Sequence, residues 1–133
     1  MILYQSGFLT LDYDPATDIL FVEWPDVHEF LVPEINQTLQ ILVDHLKSYD
    51  IKRLLVDASQ AALEIPPQEY KEVLKEFGLN LMTTRLEKLA RIITPNPARE
   101  HNVEEAKQEV GLTLRLQTFP DKQEALLWLE EEG

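Results

Sequence analysis

The chain has 133 residues, 44% of them hydrophobic, which is enough to bury one core without covalent staples, so a single domain over residues 1–133 is expected. It contains no cysteine, which excludes thiol catalysis, cysteine–zinc sites and a disulfide framework and makes the cytoplasm the natural setting. Against 12 Lys+Arg stand 24 Asp+Glu, a formal net charge of −12 that repels phosphate backbones and anionic headgroups, so nucleic acid is not an expected partner; the acidity serves solubility or recruits a basic protein.

Met1-Ile2-Leu3-Tyr4-Gln5 has neither a basic n-region nor an apolar h-region, and no later apolar run approaches the ~20 residues that span a bilayer, so export and membrane insertion are not expected. Phe8-Leu9-Thr10-Leu11-Asp12-Tyr13 alternates with period two and meets the turn-forming Asp14-Pro15-Ala16-Thr17-Asp18. Ile19-Leu20-Phe21-Val22-Glu23-Trp24 follows, rich in β-branched and aromatic residues, and the two runs form an antiparallel hairpin. Residues 25–33 are a loop. From Glu34 the period becomes helical, with Ile35, Leu39, Leu42, Val43 and Leu46 on one side, fading near Tyr49. Leu54-Leu55-Val56-Asp57 is an uninterrupted apolar run ending in a carboxylate, as in a central parallel strand.

After a loop, Pro66-Pro67 suits a helix start, and Tyr70, Val73, Leu74, Phe77 and Leu81 form the stripe of a helix from about Gln68, with Gly78 a mild interior cost. Leu89-Ala90-Arg91-Ile92-Ile93 is the next strand. Asn102 and Glu105 have capping spacing and Gly111 closes that short helix; Leu112, Leu114 and Leu116 then alternate as an edge strand would. Asp121 and Glu124 repeat the capping spacing before a last helix containing Trp128. The order β-β-α-β-α-β-α-β-α predicts an α/β fold with a mixed, mainly parallel five-stranded sheet and an N-terminal hairpin. If successive strands are neighbours, a constant crossover hand puts the helices on one face.

The opening hairpin, the amphipathic helix, the strand ending in Val56-Asp57 and the terminal Glu124-Ala125-Leu126-Leu127-Trp128-Leu129 helix together resemble the SpoIIAA-like, or STAS/Sec14-type, superfamily of small bacterial domains. The resemblance covers the chain from about residue 8 to 130. It implies a regulatory or protein-interaction module, without enzymatic activity or cofactor, that works through its strand-to-helix loop, with a protein partner or a second copy; the Sec14-like side implies a small apolar ligand. The remaining alternative, an enzyme, requires Asp57, a histidine and an arginine to converge in three dimensions. In the anti-sigma-factor antagonists of this superfamily an Asp-Ser-Ser-Gly-type segment carries a phosphorylated serine. Here Ala58-Ser59-Gln60-Ala61-Ala62-Leu63-Glu64-Ile65-Pro66-Pro67 has no serine or threonine just before the helix, so that switch does not transfer.

The candidate interaction residues are accordingly Asp57, Ser59, Glu64, Glu69, Tyr70 and Glu72. Asp57 sits where open α/β sheets place functional groups, though an aspartate there also caps its own loop. Ser59 lacks a neighbouring histidine to act as base, so it is not read as a nucleophile. His28, His45 and His101 are scattered, with no convincing metal-ligand spacing, and no glycine-rich phosphate cradle is present, so no metal or nucleotide site is expected. Trp24 and Trp128 are read as packing residues. Arg91 and Arg115 fall on successive strands at positions expected on one sheet face, where they would receive an anion or blunt an edge. A pocket for an apolar ligand would be lined by Phe8, Phe30, Tyr70 and Phe77.

Overall fold

The structure, a computed structural model, describes residues 1–6, 9–23, 32–57, 67–94 and 96–131. Its elements are β1 (Ile2–Gln5), β2 (Thr10–Asp14), β3 (Ile19–Glu23), α1 (Val32–Ser48), β4 (Arg53–Asp57), α2 (Pro67–Leu81), β5 (Lys88–Ile92), α3 (Pro97–Val110), β6 (Arg115–Phe119) and α4 (Lys122–Glu130). The strands form one mixed six-stranded sheet in sequential order, β1-β2-β3-β4-β5-β6. The first three pair antiparallel and the last four are joined in parallel.

The expected α/β class holds, but six strands replace five. The added strand is β1, whose Ile2-Leu3-Tyr4-Gln5 lies antiparallel on β2 across a register shift between Ile2 and Tyr4. Four residues interrupted by an irregularity show no period-two signal, and only pairing with β2 makes them a strand. Leu9 and Leu11 are buried, and the hairpin turn is fixed by the Tyr13 hydroxyl donating to Asp18 Oδ1 at 2.7 Å, with Asp18 in the left-handed region at φ 55°.

Two further boundaries differ from the sequence reading by three residues or more. The third helix starts at Pro97, capped by Asn96, whose Oδ1 accepts the Arg99 N–H at 3.2 Å, so Asn102 and Glu105 lie inside it. Proline at the first helical position gives up a donor that has no intrahelical partner there, which is why Asn96-Pro97 opens a helix and does not merely end a strand. Gly111, at φ 67°, closes it as expected. The following strand begins at Arg115, three residues later than its leucine alternation suggests. Leu112 and Leu114 pack under the helices instead, and the parallel ladder with β5 sets the register. That strand is at the sheet edge, as anticipated.

Register sorts the side chains into two layers. On one face Leu20, Leu54, Leu89 and Leu116 form a row across β3 to β6, and the next row is Val22, Val56, Arg91 and Thr118. The stripes of α1 and α2 pack there, with Leu42, Leu46, Val73, Phe77 and Leu81 buried against the sheet. α3 lies beside α2 on the same face. On the other face Leu55, Ala90, Ile92 and Phe119 are covered by Ala125 and Leu129 of α4. Each fully buried leucine contributes about 2 kcal/mol of burial, so the layers are held mainly by these rows. The three connecting helices share a face, as a constant crossover hand requires; α4 leads to no further strand, so nothing prevents it from covering the opposite face. Among the described residues no helix is long and apolar enough to cross a membrane.

Candidate functional site

Two concave regions flank α2, and the periodicity of that helix assigns its residues between them. Tyr70, Leu74, Phe77, Gly78 and Leu81 face a cleft bounded by the sheet and α3, whereas Gln68, Glu69, Glu72, Val73, Lys75, Glu76 and Leu79 line an outer groove that Asn36 of α1 closes.

The outer groove has a volume of about 530 Å³. Glu69 and Glu72 are exposed on its rim, together with Glu76. Lys75, the groove's cation, is drawn to Glu72 and to Glu109 of α3, each at 3.7 Å. Leu79 is 54% exposed, an apolar side chain standing at the end of an acidic trough.

The inner cleft offers about 60 Å³ of space. Val56 and Leu89 of the sheet, Val103, Ala106 and Val110 of α3, and Leu112 and Leu116 beyond it form its apolar walls. At the carboxyl end of β5 it meets a polar cluster. Arg91 is 8% exposed and grips Glu100 bidentately, Nη1 to Oε1 and Nη2 to Oε2 at 3.0 Å each. Its Nη1 also reaches Thr118 Oγ1 at 3.3 Å, and the Thr94 hydroxyl donates to Glu100 Oε2 at 2.8 Å. Burial alone would raise the Glu100 carboxyl, but the hydrogen bonds and charge of Arg91, with help from Thr94, outweigh it and hold the group below the usual carboxylate range. Tyr70, only 7% exposed, has its phenol pushed up, chiefly by burial and against the opposing pull of Arg91 and Arg99.

The structure does not gather the residues singled out by sequence into one site. Tyr70 belongs to the inner cleft, Glu69 and Glu72 to the outer groove. Asp57 pairs in register with Glu23 and Ile92, on the face covered by α4, and already has a partner within the protein. Ser59 and Glu64 lie outside the described residues, as do Phe8, Trp24, His28 and Phe30. Of the expected apolar pocket, Tyr70 and Phe77 do line one cleft. Arg91 and Arg115 do not share a face. Arg115 pairs with Lys88 and Arg91 with Thr118, positions of opposite parity, and Arg91 is buried in an ion pair while Arg115 is exposed.

His101 sits within α3, one turn from Glu105, and the two form an ion pair when the imidazole is protonated. Among the described residues no three histidine, aspartate or glutamate side chains group around a common point. Trp128 packs on Phe119 with ring centroids 5.5 Å apart, in the layer under α4.

The Arg91–Glu100 pair went unread in the sequence, yet a signal was present. An arginine inside the apolar run Leu89-Ala90-Arg91-Ile92 must be buried, a buried guanidinium needs a carboxylate, and the first turn of the next helix supplies Glu100. No protein-family model, no curated protein and no solved structure matches the chain.

Proposed function

We propose that the chain is a non-enzymatic protein-interaction module of regulatory type, acting in the cytoplasm, that captures a basic segment of a partner protein in the groove between α1 and α2. The observation that carries this reading is the outer face of α2, where Glu69, Glu72 and Glu76 surround a groove ending at exposed Leu79. Carboxylates beside an apolar anchor match a segment whose lysines or arginines flank a leucine or aromatic side chain. Charge argues for a different protein over a second copy, because two chains of −12 repel at this face. The element order resembles that of the anti-sigma-factor antagonists of the STAS/SpoIIAA-like superfamily, in which the helix after the corresponding loop meets the partner, and this resemblance supports the assignment to regulation.

The test is a titration with a synthetic amphipathic lysine- and leucine-rich peptide, followed by backbone amide NMR. Saturable shifts confined to α1 and α2 around Glu69, Glu72, Glu76 and Leu79 are expected, and the Glu69→Lys/Glu72→Lys double variant should weaken binding at least about tenfold. Shifts spread evenly over the acidic surface, or an unchanged affinity in the double variant, would sink this placement.

A further inference from the structure

The inner cleft holds a second, chemically different capacity. Its charged lining residues are Arg91 and Lys107, both cations, in a chain whose net charge is −12. Arg91 commits Nη1 and Nη2 to Glu100 and Thr118, which leaves its Nε–H without an acceptor among the described residues. The Lys107 ammonium forms none of the ion pairs found there. Tyr70 is 93% buried by the complement of its 7% exposure, yet its hydroxyl makes no hydrogen bond to any described residue. Among the described residues no side-chain polar atom is sealed from solvent without a partner, so this hydroxyl retains a little accessible surface. A phenol that is largely buried yet reachable, with an unused hydrogen-bonding valence, is free to donate to a group that enters the cleft.

We propose that the cleft between α2, α3 and the sheet binds a short-chain aliphatic monocarboxylate, its tail against Leu74, Phe77, Val103 and Leu116 and its carboxylate on the Tyr70 hydroxyl and the Arg91 Nε–H. The size follows from the space. About 60 Å³ is several times the ~10–15 Å³ that holds one water and well under the ~150 Å³ of a cavity that takes benzene, so a tail of about three carbons fits and a long acyl chain does not. The charge follows from two lining residues that keep a spare donor, Tyr70 and Arg91, from the lining cation Lys107, and from the absence of a carboxylate among the described lining residues, Glu100 being held by Arg91 outside that lining. α3 is a wall that can give: of its residues only Arg99 and Ala106 are buried, and Lys71 ties it to α2 through Glu105 at 2.9 Å and Glu109 at 3.0 Å.

Butyrate, butan-1-ol and butyramide are titrated into the intact chain and followed by methyl NMR of the cleft leucines and valines. Butyrate should saturate with a dissociation constant of about 1 mM, the magnitude open to so few atoms, and both neutral probes should bind at least about tenfold more weakly. Tyr70→Phe, which removes one oxygen and leaves the packing, should weaken butyrate about tenfold without changing the alcohol. Val103→Phe, filling the cleft from half-buried α3, should abolish all three. Absence of saturable cleft shifts with butyrate overturns the proposal. So does equal binding of butyrate and butanol in both the parent chain and Tyr70→Phe, which would leave an apolar cavity with no carboxylate recognition. Tyr70→Phe does not alter the outer groove, so failure here leaves the peptide titration unaffected.

Discussion

At the scale of single residues, the largest stake is the pair of buried Arg91 and half-buried Glu100. A guanidinium held out of water is stable only with its carboxylate, and removing Glu100 leaves it without compensation. Glu100→Gln is therefore expected to cost about 3 kcal/mol in urea-induced unfolding, far more than a surface carboxylate. The pH dependence has a definite sign. A carboxyl whose folded value is lowered contributes stability that is fully present above its ordinary value near 4.5 and is lost as pH falls through the lower folded value. The parent chain should lose stability over that acid window, and Glu100→Gln should lose less of it; parallel acid limbs would show that Arg91 does not hold this carboxylate.

At the scale of elements, α4 is fastened by a lysine placed under its end. Lys88 is 4% exposed and donates from Nζ to the carbonyls of Trp128 at 2.9 Å and Glu131 at 2.6 Å, where a helix has unpaired acceptors and a partial negative charge. Burial, and then Arg115 and Arg53 on the neighbouring strands, lower its ammonium below the usual lysine range. Burial and repulsion thus outweigh the charge assistance, but even the neutral amine keeps two N–H donors for these carbonyls, so the fastening survives loss of the proton. Lys88→Met should destabilise by about 1 kcal/mol and speed amide exchange in the last turn of α4. Because the unfolded chain binds that proton more tightly, the parent chain should gain stability as pH rises from the lowered value toward 10.5, a gain missing in Lys88→Met. The elements also show what a linear pattern conveys. The stripe Ile35, Leu39, Leu42, Leu46 and the run Leu54-Leu55-Val56 announced α1 and β4 because each carries its period within itself. β1 and the start of β6 depend on a partner strand for their register, and the cleft depends on α3 lying beside α2, neither of which is written in local spacing. The face of Asp57 was equally hidden, since it follows from pairing across the sheet.

At the scale of the whole molecule, the excess of acid acts against the fold while ion pairs of the same residues hold one helix to it. A net charge of −12 on the chain gives self-repulsion that salt screens. α3 answers to the opposite effect, because it buries little apolar surface and is tied to α2 by Lys71 and Lys75 through Glu105 and Glu109, carboxylates that are 39% and 44% exposed. Raising NaCl from about 0.15 M to about 1 M shortens the screening length from ~8 Å to ~3 Å, enough to weaken both the repulsion across the molecule and these exposed pairs. The two responses separate in location. The thermal midpoint should rise with salt, because the repulsion involves the whole surface, while hydrogen exchange in α3 should become faster relative to that of β4 and β5, whose amides sit in the covered sheet. A midpoint that falls would mean that the ion pairs outweigh the repulsion. Protection of α3 rising in step with the sheet would mean instead that Ala106 and the cleft-lining valines, and not the lysines of α2, keep this helix in place.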